Sequence, residues 1–416
     1  ILRPLLAHLL HASPTSSKCD LKTVFIVSIF RALFNDSTPI SMLESQSNSI
    51  LSPEIKGPIW VVRDEFPAPL EQDVKKVLYR AIEGLSDGTD SQNIGDVDIL
   101  PVSGEWVGHR TGVGKDELEP MVAEAHKYDC LMREVKSRVT ILFLHGGQFF
   151  QRNPASRRRM THELAMLTSG RVFAVRYRLS PQNMFPAALL DAIIAYLSLL
   201  YPSPNSLHEA VQASDICLSG DSSGANICMA LLQTILELQR QSSDSKARVL
   251  WHGKEQILPL PAGVATHSAF LDLTRSLPSE TANLPFDLLP DPVRAPFPSS
   301  SYIPSSIWPA SPPRHQVYTS TAMLKHPLVS PIMAKDWRNC TTRWWASFGQ
   351  ECLADSSIVV AQRMTEQGIP VCVEKFGGMP HDFTLIFPDS KSGKRCFEGW
   401  AAFIRDATQA AGQMKA

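Results

Sequence analysis

The chain has no uninterrupted apolar run of the roughly 18 to 20 residues that a membrane-spanning helix needs. Its longest candidate, Leu21 to Phe34, is shorter and carries Lys22 and Arg31. A charge excess of either sign is also missing: 40 Lys and Arg against 41 Asp and Glu leave a net charge of −1, so no nucleic acid or other polyanionic partner is indicated. The eight cysteines form no C-x-x-C pair, which removes the usual signatures of a zinc site or a redox dithiol. No cluster of His and carboxylates has metal-ligand spacing, and no phosphate-binding glycine loop follows the first strands, so no metal and no cofactor is expected. What remains is the composition of an ordinary globular protein, 44% hydrophobic and 19% charged. Cys217 and Cys228 sit in apolar runs and read as small buried residues, which fits a reducing, cytoplasmic compartment.

Leu2, Leu5, Leu6, Leu9 and Leu10 recur at helical spacing up to Pro14, and Leu21 to Phe34 also reads as helix. Such helices could cover an active site, touch a membrane surface or pack on the core; residues 1–57 are taken as an N-terminal helical cap. From Ile59 to about Gly108, short apolar stretches such as Ile59–Arg63 and Val97–Leu100 suggest antiparallel strands with a helix pair between them. After Lys136, strand and helix alternate, the signature of a mostly parallel sheet with helices on both faces. The strands are expected at Val139–Leu144, Arg171–Arg176, Asp215–Ser219, Thr342–Ser347 and Val371–Phe376, and the helices at Met160–Thr168, Ala187–Leu200, Gly224–Arg240 and Ser356–Gln367. Residues 58–416 thus form one α/β catalytic unit, interrupted by a Pro- and Ser-rich, lid-like excursion at about 275–326.

The strongest chemical signal is Gly220-Asp221-Ser222-Ser223-Gly224, because it joins an apolar strand to an apolar helical run. In that context G-x-S-x-G forms a sharp turn that lifts the serine hydroxyl above the sheet and aims a helix N-terminus at developing negative charge. His145-Gly146-Gly147 follows an upstream strand, where a loop of backbone NH groups belongs; Gly146 and Gly147, with the NH of Ser223, are expected to hold an oxyanion. His145 itself reads as structural.

A serine hydroxyl needs a base, and the base needs a carboxylate to orient it. His381 lies in a flexible turn, Gly377 to Phe383, after the last strand. The acid is expected in the loop from Gly349 to Asp355, which offers Glu351 and Asp355. Glu351 is preferred because it is nearer the strand end, whereas Asp355 is placed to cap the following helix and stays the fallback. Arg157-Arg158-Arg159 reads as a solvated helix start and Trp344-Trp345 as core or pocket wall.

With these motifs in hand, the chain resembles the hormone-sensitive-lipase-like branch of the α/β-hydrolase fold, especially the carboxylesterase-like members common in fungi. The resemblance rests on His145-Gly-Gly147, Tyr177-Arg-Leu-Ser-Pro181 with Phe185-Pro-Ala-Ala188 and Asp191, the serine turn, Ser330-Pro331 and His381-Asp-Phe383, and it spans Arg138 to Ile404. It implies hydrolysis of small or medium acyl esters without a cofactor, under a cap of N-terminal helices. A hydrophobic small-molecule ester, such as an acetylated natural product of a fungal pathway, is the implied substrate, and a homodimer is a possible assembly. Three departures stand out: Gln148 where a third glycine is usual, Ser223 where alanine is commoner, and Glu351 where aspartate is more frequent. Gln148 keeps its backbone NH while its side chain narrows or polarises the acyl pocket. The same residues could also release a polyketide-type thioester or transfer an acyl group, and a non-catalytic small-molecule receptor on this fold is the alternative from another class.

Overall fold

The structure is a computed structural model that describes residues 2–36, 40–88, 94–291, 302–311, 314 and 316–413. Much of the proline-rich part of the expected excursion, 292–301 with 312, 313 and 315, lies outside the described residues.

The first half of the chain runs α1 (Leu2–Leu9), α2 (Leu21–Asp36), α3 (Met42–Ser49), β1 (Ile59–Phe66), α4 (Asp73–Leu85), β2 (Val102–His109), α5 (Glu124–Glu134), β3 (Thr140–Leu144), α6 (Arg158–Thr168), β4 (Arg171–Val175) and α7 (Ala187–Leu200). It continues through β5 (Ile216–Asp221), α8 (Ser222–Arg240), β6 (Arg248–Trp251), β7 (Lys254–Ile257), β8 (Gly263–His267), α9 (Ser279–Ala282), β9 (Arg343–Gly349), α10 (Ala354–Glu366), β10 (Val371–Phe376), α11 (Phe383–Ile386) and α12 (Lys391–Gln413). Eight strands form one sheet in the order β1-β2-β4-β3-β5-β8-β9-β10, and β6 pairs with β7 in a separate hairpin. β1, β2 and β4 pair antiparallel, and every pairing from β4 through β3 to β10 is parallel.

Alternate residues of each strand feed two cores, as the two-residue period of a strand requires. On one face Leu142, Leu144, Leu218, Val264 and Trp344 pack with α4, α7 and α8; on the other Ile141, Phe143, Cys217, Ala265 and Trp345 pack with α6 and α12. Trp344 and Trp345 are therefore core residues of opposite faces. α7 is apolar nearly all round and α8 is buried from Ser222 to Leu238, as befits helices wedged between the sheet and other elements.

Several expectations shift. The second antiparallel strand is Val102–His109, not Val97–Leu100, and one helix, α4, lies between β1 and β2 among the described residues. Gly104 and Gly108 make Val102–His109 read as a broken run, yet close packing requires both. A Cβ at Gly104 would sit 2.4 Å from the Phe173 ring, and one at Gly108 2.6 Å from Leu131 Cγ. The strand β8, Gly263-Val-Ala-Thr-His267, is too short and small-sided to stand out in the sequence, but it occupies the centre of the parallel sheet. Among the described residues no helix is long and apolar enough to cross a membrane. The N-terminal leucines do not pack on the core: Leu2, Leu6, Leu9 and Leu10 stay exposed, and α1 turns His8 inward to meet Thr15.

Candidate functional site

β3, β5, β9 and β10 end at the same edge of the sheet, and the loops leaving their carboxyl ends carry His145–Gly147, Ser222, Glu351 and His381. Open α/β sheets place their ligand sites at this edge. Ser222 opens α8 with φ +49°, a left-handed conformation that costs a residue other than glycine about 1–3 kcal/mol. The turn is held by crowding: a Cβ at Gly220 would lie 2.5 Å from the Leu144 carbonyl oxygen, and one at Gly224 2.0 Å from the same atom. The two glycines thus let the serine turn nest against the end of β3.

His381 Nε2 lies 3.1 Å from Ser222 Oγ, and its Nδ1 lies 3.3 Å from Glu351 Oε1. All three residues are buried. With the proton on Nδ1, the imidazole can accept the serine proton at Nε2 while the carboxylate fixes its tautomer. The other oxygen of Glu351 accepts from Ser268 Oγ at 2.7 Å and from the Gly349 NH at 3.2 Å, so the longer glutamate is anchored at both oxygens. Burial disfavours the charged imidazole, but the adjoining Glu351 carboxylate, with Asp287 and Asp382 behind it, overcomes that and raises the His381 pKa to about 9.

Asp355 is placed elsewhere. Its Oδ2 accepts from the Ser279 NH at the start of α9, and α10 begins without a side-chain cap, so Asp355 fastens the excursion rather than capping its own helix. Among the described residues, no hydrogen bond or ion pair joins it to His381.

The loop after β3 requires one correction. The Gly146 NH donates to Asp221 Oδ1 at 3.0 Å and so is already engaged. Gly146 is glycine because a Cβ there would sit 2.3 Å from Asp221 Oδ2; it lets the loop lie on the serine turn. Among the described residues, the NH groups of Gly147, Gln148 and Ser223 have no protein acceptor. Gly147 at φ +127° and Gln148 at φ +58° both take positive-φ backbone conformations. The Ser223 hydroxyl accepts from the Phe149 NH at 3.2 Å, bracing the loop. His145 is buried, stacks on Tyr177 at 4.3 Å and has its pKa lowered to about 4 by burial, consistent with a structural role.

The arginine run also differs from expectation. Arg159 alone is exposed, while Arg158 pairs with buried Glu105, and Arg157 is 3% exposed. Arg157 donates from Nε and Nη2 to Asp221 Oδ2 at 3.0 and 2.6 Å and from Nη2 to Asp382 Oδ2 at 3.1 Å. It therefore joins the residue before Ser222 to the residue after His381. Burial drives Asp221 up, but Arg157 and the Gly146 NH more than offset this and hold it below the usual carboxylate range. Asp382 is pushed up to about 6, by burial first and by the Asp221 charge second. Burial among opposite charges was not legible from three consecutive arginines, because both partners lie far away in sequence.

A narrow cavity of about 20 Å³ leads to Ser222 and His381, lined also by Gln148, Phe270, Arg275, Leu289, Pro290 and Leu353. Among the described residues no group of three or more His, Cys, Asp or Glu side chains is arranged to ligate a metal ion.

A buried serine at a strained strand-to-helix turn, with an imidazole on its hydroxyl and free NH groups opposite, is the apparatus of a serine-nucleophile hydrolase. A family profile described as alpha/beta hydrolase fold matches residues 141–287 and 306–385, more than half of the chain. An acetyl-hydrolase of Streptomyces hygroscopicus is 27% identical over 269 residues, covering 65% of this chain and 76% of that protein. Esterase LipU of Mycobacterium tuberculosis is 26% identical over 277 residues, 65% of this chain and 79% of its own. A hormone-sensitive lipase from a metagenome library superimposes with a TM-score of 0.59 at 20% identity, covering 94% of this chain and 99% of that one. The chain belongs to the α/β hydrolase fold family.

Proposed function

We propose that this carboxylic-ester hydrolase works through an acyl-enzyme on Ser222, with His381 as general base, Glu351 as the orienting acid, and an acetyl or similarly short acyl group as the transferred portion. His381 Nε2 takes the proton from Ser222 Oγ as the oxygen attacks the ester carbonyl carbon, and the carbonyl oxygen becomes an oxyanion facing the NH groups of Gly147, Gln148 and Ser223. On collapse the carbon–alkoxide bond breaks and the leaving alcohol takes the proton from His381. Water, deprotonated at the same Nε2, then attacks the acyl-enzyme and releases the acid, restoring Ser222.

The observation that carries this reading is the 3.1 Å and 3.3 Å chain from Ser222 through His381 to Glu351 at one end of an apolar-walled cavity. The similarity to an acetyl-hydrolase of Streptomyces hygroscopicus supports a short acyl group. Helices α1 to α3 are assigned to a cap. Cys19 Sγ donates to the Gly378 carbonyl, Arg31 Nε to the Asp287 carbonyl, and Gln46 Nε2 to the carbonyls of Phe150 and Ser180, all beside the loops of the site. The apolar helices α1 and α2 of that cap suit a hydrophobic alcohol portion, as in an acetylated natural product.

The test is a p-nitrophenyl ester series from acetate to octanoate, with acetyl thioester alongside, on wild type and on Ser222→Ala, His381→Ala and Glu351→Ala. The reading expects kcat/KM to peak at acetate or propionate and to collapse in the Ser222 and His381 variants. A peak at octanoate would overturn the short-acyl assignment, and full activity in folded Ser222→Ala would overturn the nucleophile.

A further inference from the structure

Besides Glu351, a second carboxylate borders His381. Asp287 lies in the excursion, five residues beyond α9, and is fully buried. Its Oδ1 accepts from the His381 NH at 2.9 Å and from the Leu288 NH at 2.7 Å, and its Oδ2 accepts from the Cys352 NH at 2.6 Å. One side chain thus holds the backbone of the base and the residue that follows the orienting acid. Its own carbonyl accepts from Arg31 Nε of α2 at 2.7 Å.

The surrounding segment is fastened to the acid loop as well. Ser279 Oγ donates to the Cys352 carbonyl at 2.6 Å, and Asn283 Nδ2 to the Glu351 carbonyl at 2.8 Å. Two and three residues after Asp287, Leu289 and Pro290 form part of the wall of the cavity over Ser222.

We infer that Asp287 is a positioning residue for the base: its carboxylate fixes the His381 backbone against the acid loop and adds a second negative charge behind the imidazole, favouring the imidazolium formed during acyl transfer. This rests on the reading of His381 as general base.

The charges that face His381 come from several elements. Glu351 contributes from the loop after β9, Asp287 from the excursion, Asp382 from the base's own turn, Asp221 from the end of β5 and Arg157 from the start of α6. His267 lies nearby at the end of β8, and Arg275, already paired with Glu280, lines the same cavity. Arg157 is engaged with Asp221 and Asp382, so the side of the imidazole toward Glu351 and Asp287 is dominated by negative charge. Among the influences that raise the His381 pKa, Asp287 follows Glu351.

The test separates charge from position. Asp287→Asn keeps the shape but loses the charge and one of the two NH-accepting oxygens; Asp287→Glu keeps the charge and moves it by one methylene. The kcat/KM profile against pH would be recorded for both with p-nitrophenyl acetate, beside wild type, His381→Ala and Asp389→Asn, whose carboxyl pairs with Arg159 at the surface. The inference expects the acidic limb of Asp287→Asn to move down by at least about half a pH unit, with kcat reduced about tenfold and KM changed less than threefold. Asp287→Glu keeps the limb of wild type with a lowered kcat, and Asp389→Asn matches wild type throughout. A limb that stays within 0.2 units in Asp287→Asn, or that moves in Asp287→Glu by half a unit or more, overturns it; the second criterion remains if the Asn variant does not fold. Retained activity in His381→Ala would instead remove the reading of the base, a distinct failure.

Discussion

Replacing Arg157 by methionine should expose how the site is held together. Arg157 is 3% exposed, and its guanidinium makes three hydrogen bonds to carboxylates, at 3.0 and 2.6 Å to Asp221 and 3.1 Å to Asp382. Methionine fills similar space but leaves two buried carboxyls without a cation. Removing one partner of a buried ion pair costs about 3–5 kcal/mol, because the remaining charge stays desolvated. The loss should depend on pH in a defined direction. Without Arg157 both carboxyls titrate above their unfolded value, so each is harmless below that value and costs stability as the pH rises through its folded pKa. Asp382 is already at about 6 with Arg157 in place, so the window opens near there and extends upward. Urea unfolding at pH 5.0 and pH 7.5 reads the effect: the account expects a deficit of about 3–5 kcal/mol at pH 7.5 that shrinks clearly at pH 5.0. A deficit under about 1 kcal/mol at pH 7.5, or one that grows on acidification, would refute the reasoning.

Glu351→Ala should lower kcat by about 10³-fold or more, while Asp355→Ala, which loses only the bond to the Ser279 NH, should lower it less than tenfold; stopped-flow or plate kinetics on folded variants rank them. The kcat/KM profile of the wild type should rise with pH, because His381 accepts a proton only when neutral. Its midpoint should lie above the ordinary histidine value of 6.5, toward about 9, and fall in Glu351→Ala. Gly224→Ala places a Cβ 2.0 Å from the Leu144 carbonyl oxygen, so backbone must move; a stability loss of about 1–3 kcal/mol and an activity loss above 100-fold are expected by thermal melting and ester turnover.

The serine turn, the loop after β3 and the base loop were legible because each combines glycines with a chemical residue next to a strand, a pattern that local sequence carries. Distance from the strand end favours Glu351 over Asp355; Glu351 Oε1 lies 3.3 Å from His381 Nδ1, and Asp355 Oδ2 accepts from the Ser279 NH. What escaped depends on contacts between distant segments. Arg157 meets Asp221 and Asp382 across 64 and 225 residues, and Asp287 meets His381 across 94, so neither reads as more than a polar residue in its own stretch. The Gly146 NH was assigned to an oxyanion because the motif supplies it, and the side chain of Asp221 claims it instead. Ser268 at φ +48°, the support of Glu351, follows a strand whose small residues gave no signal. The Cβ contact of Gly104 with Phe173 likewise explains why a strand with two glycines is still a strand.

The most direct test of the central claim is intact-mass analysis after treatment with a fluorophosphonate, followed by peptide mapping, on wild type, Ser222→Ala and His381→Ala. The account predicts one adduct per chain on the peptide holding Ser222, none at that position in Ser222→Ala, and labelling slowed at least about 100-fold in His381→Ala. An adduct on another residue, or unchanged labelling in folded Ser222→Ala, would contradict it.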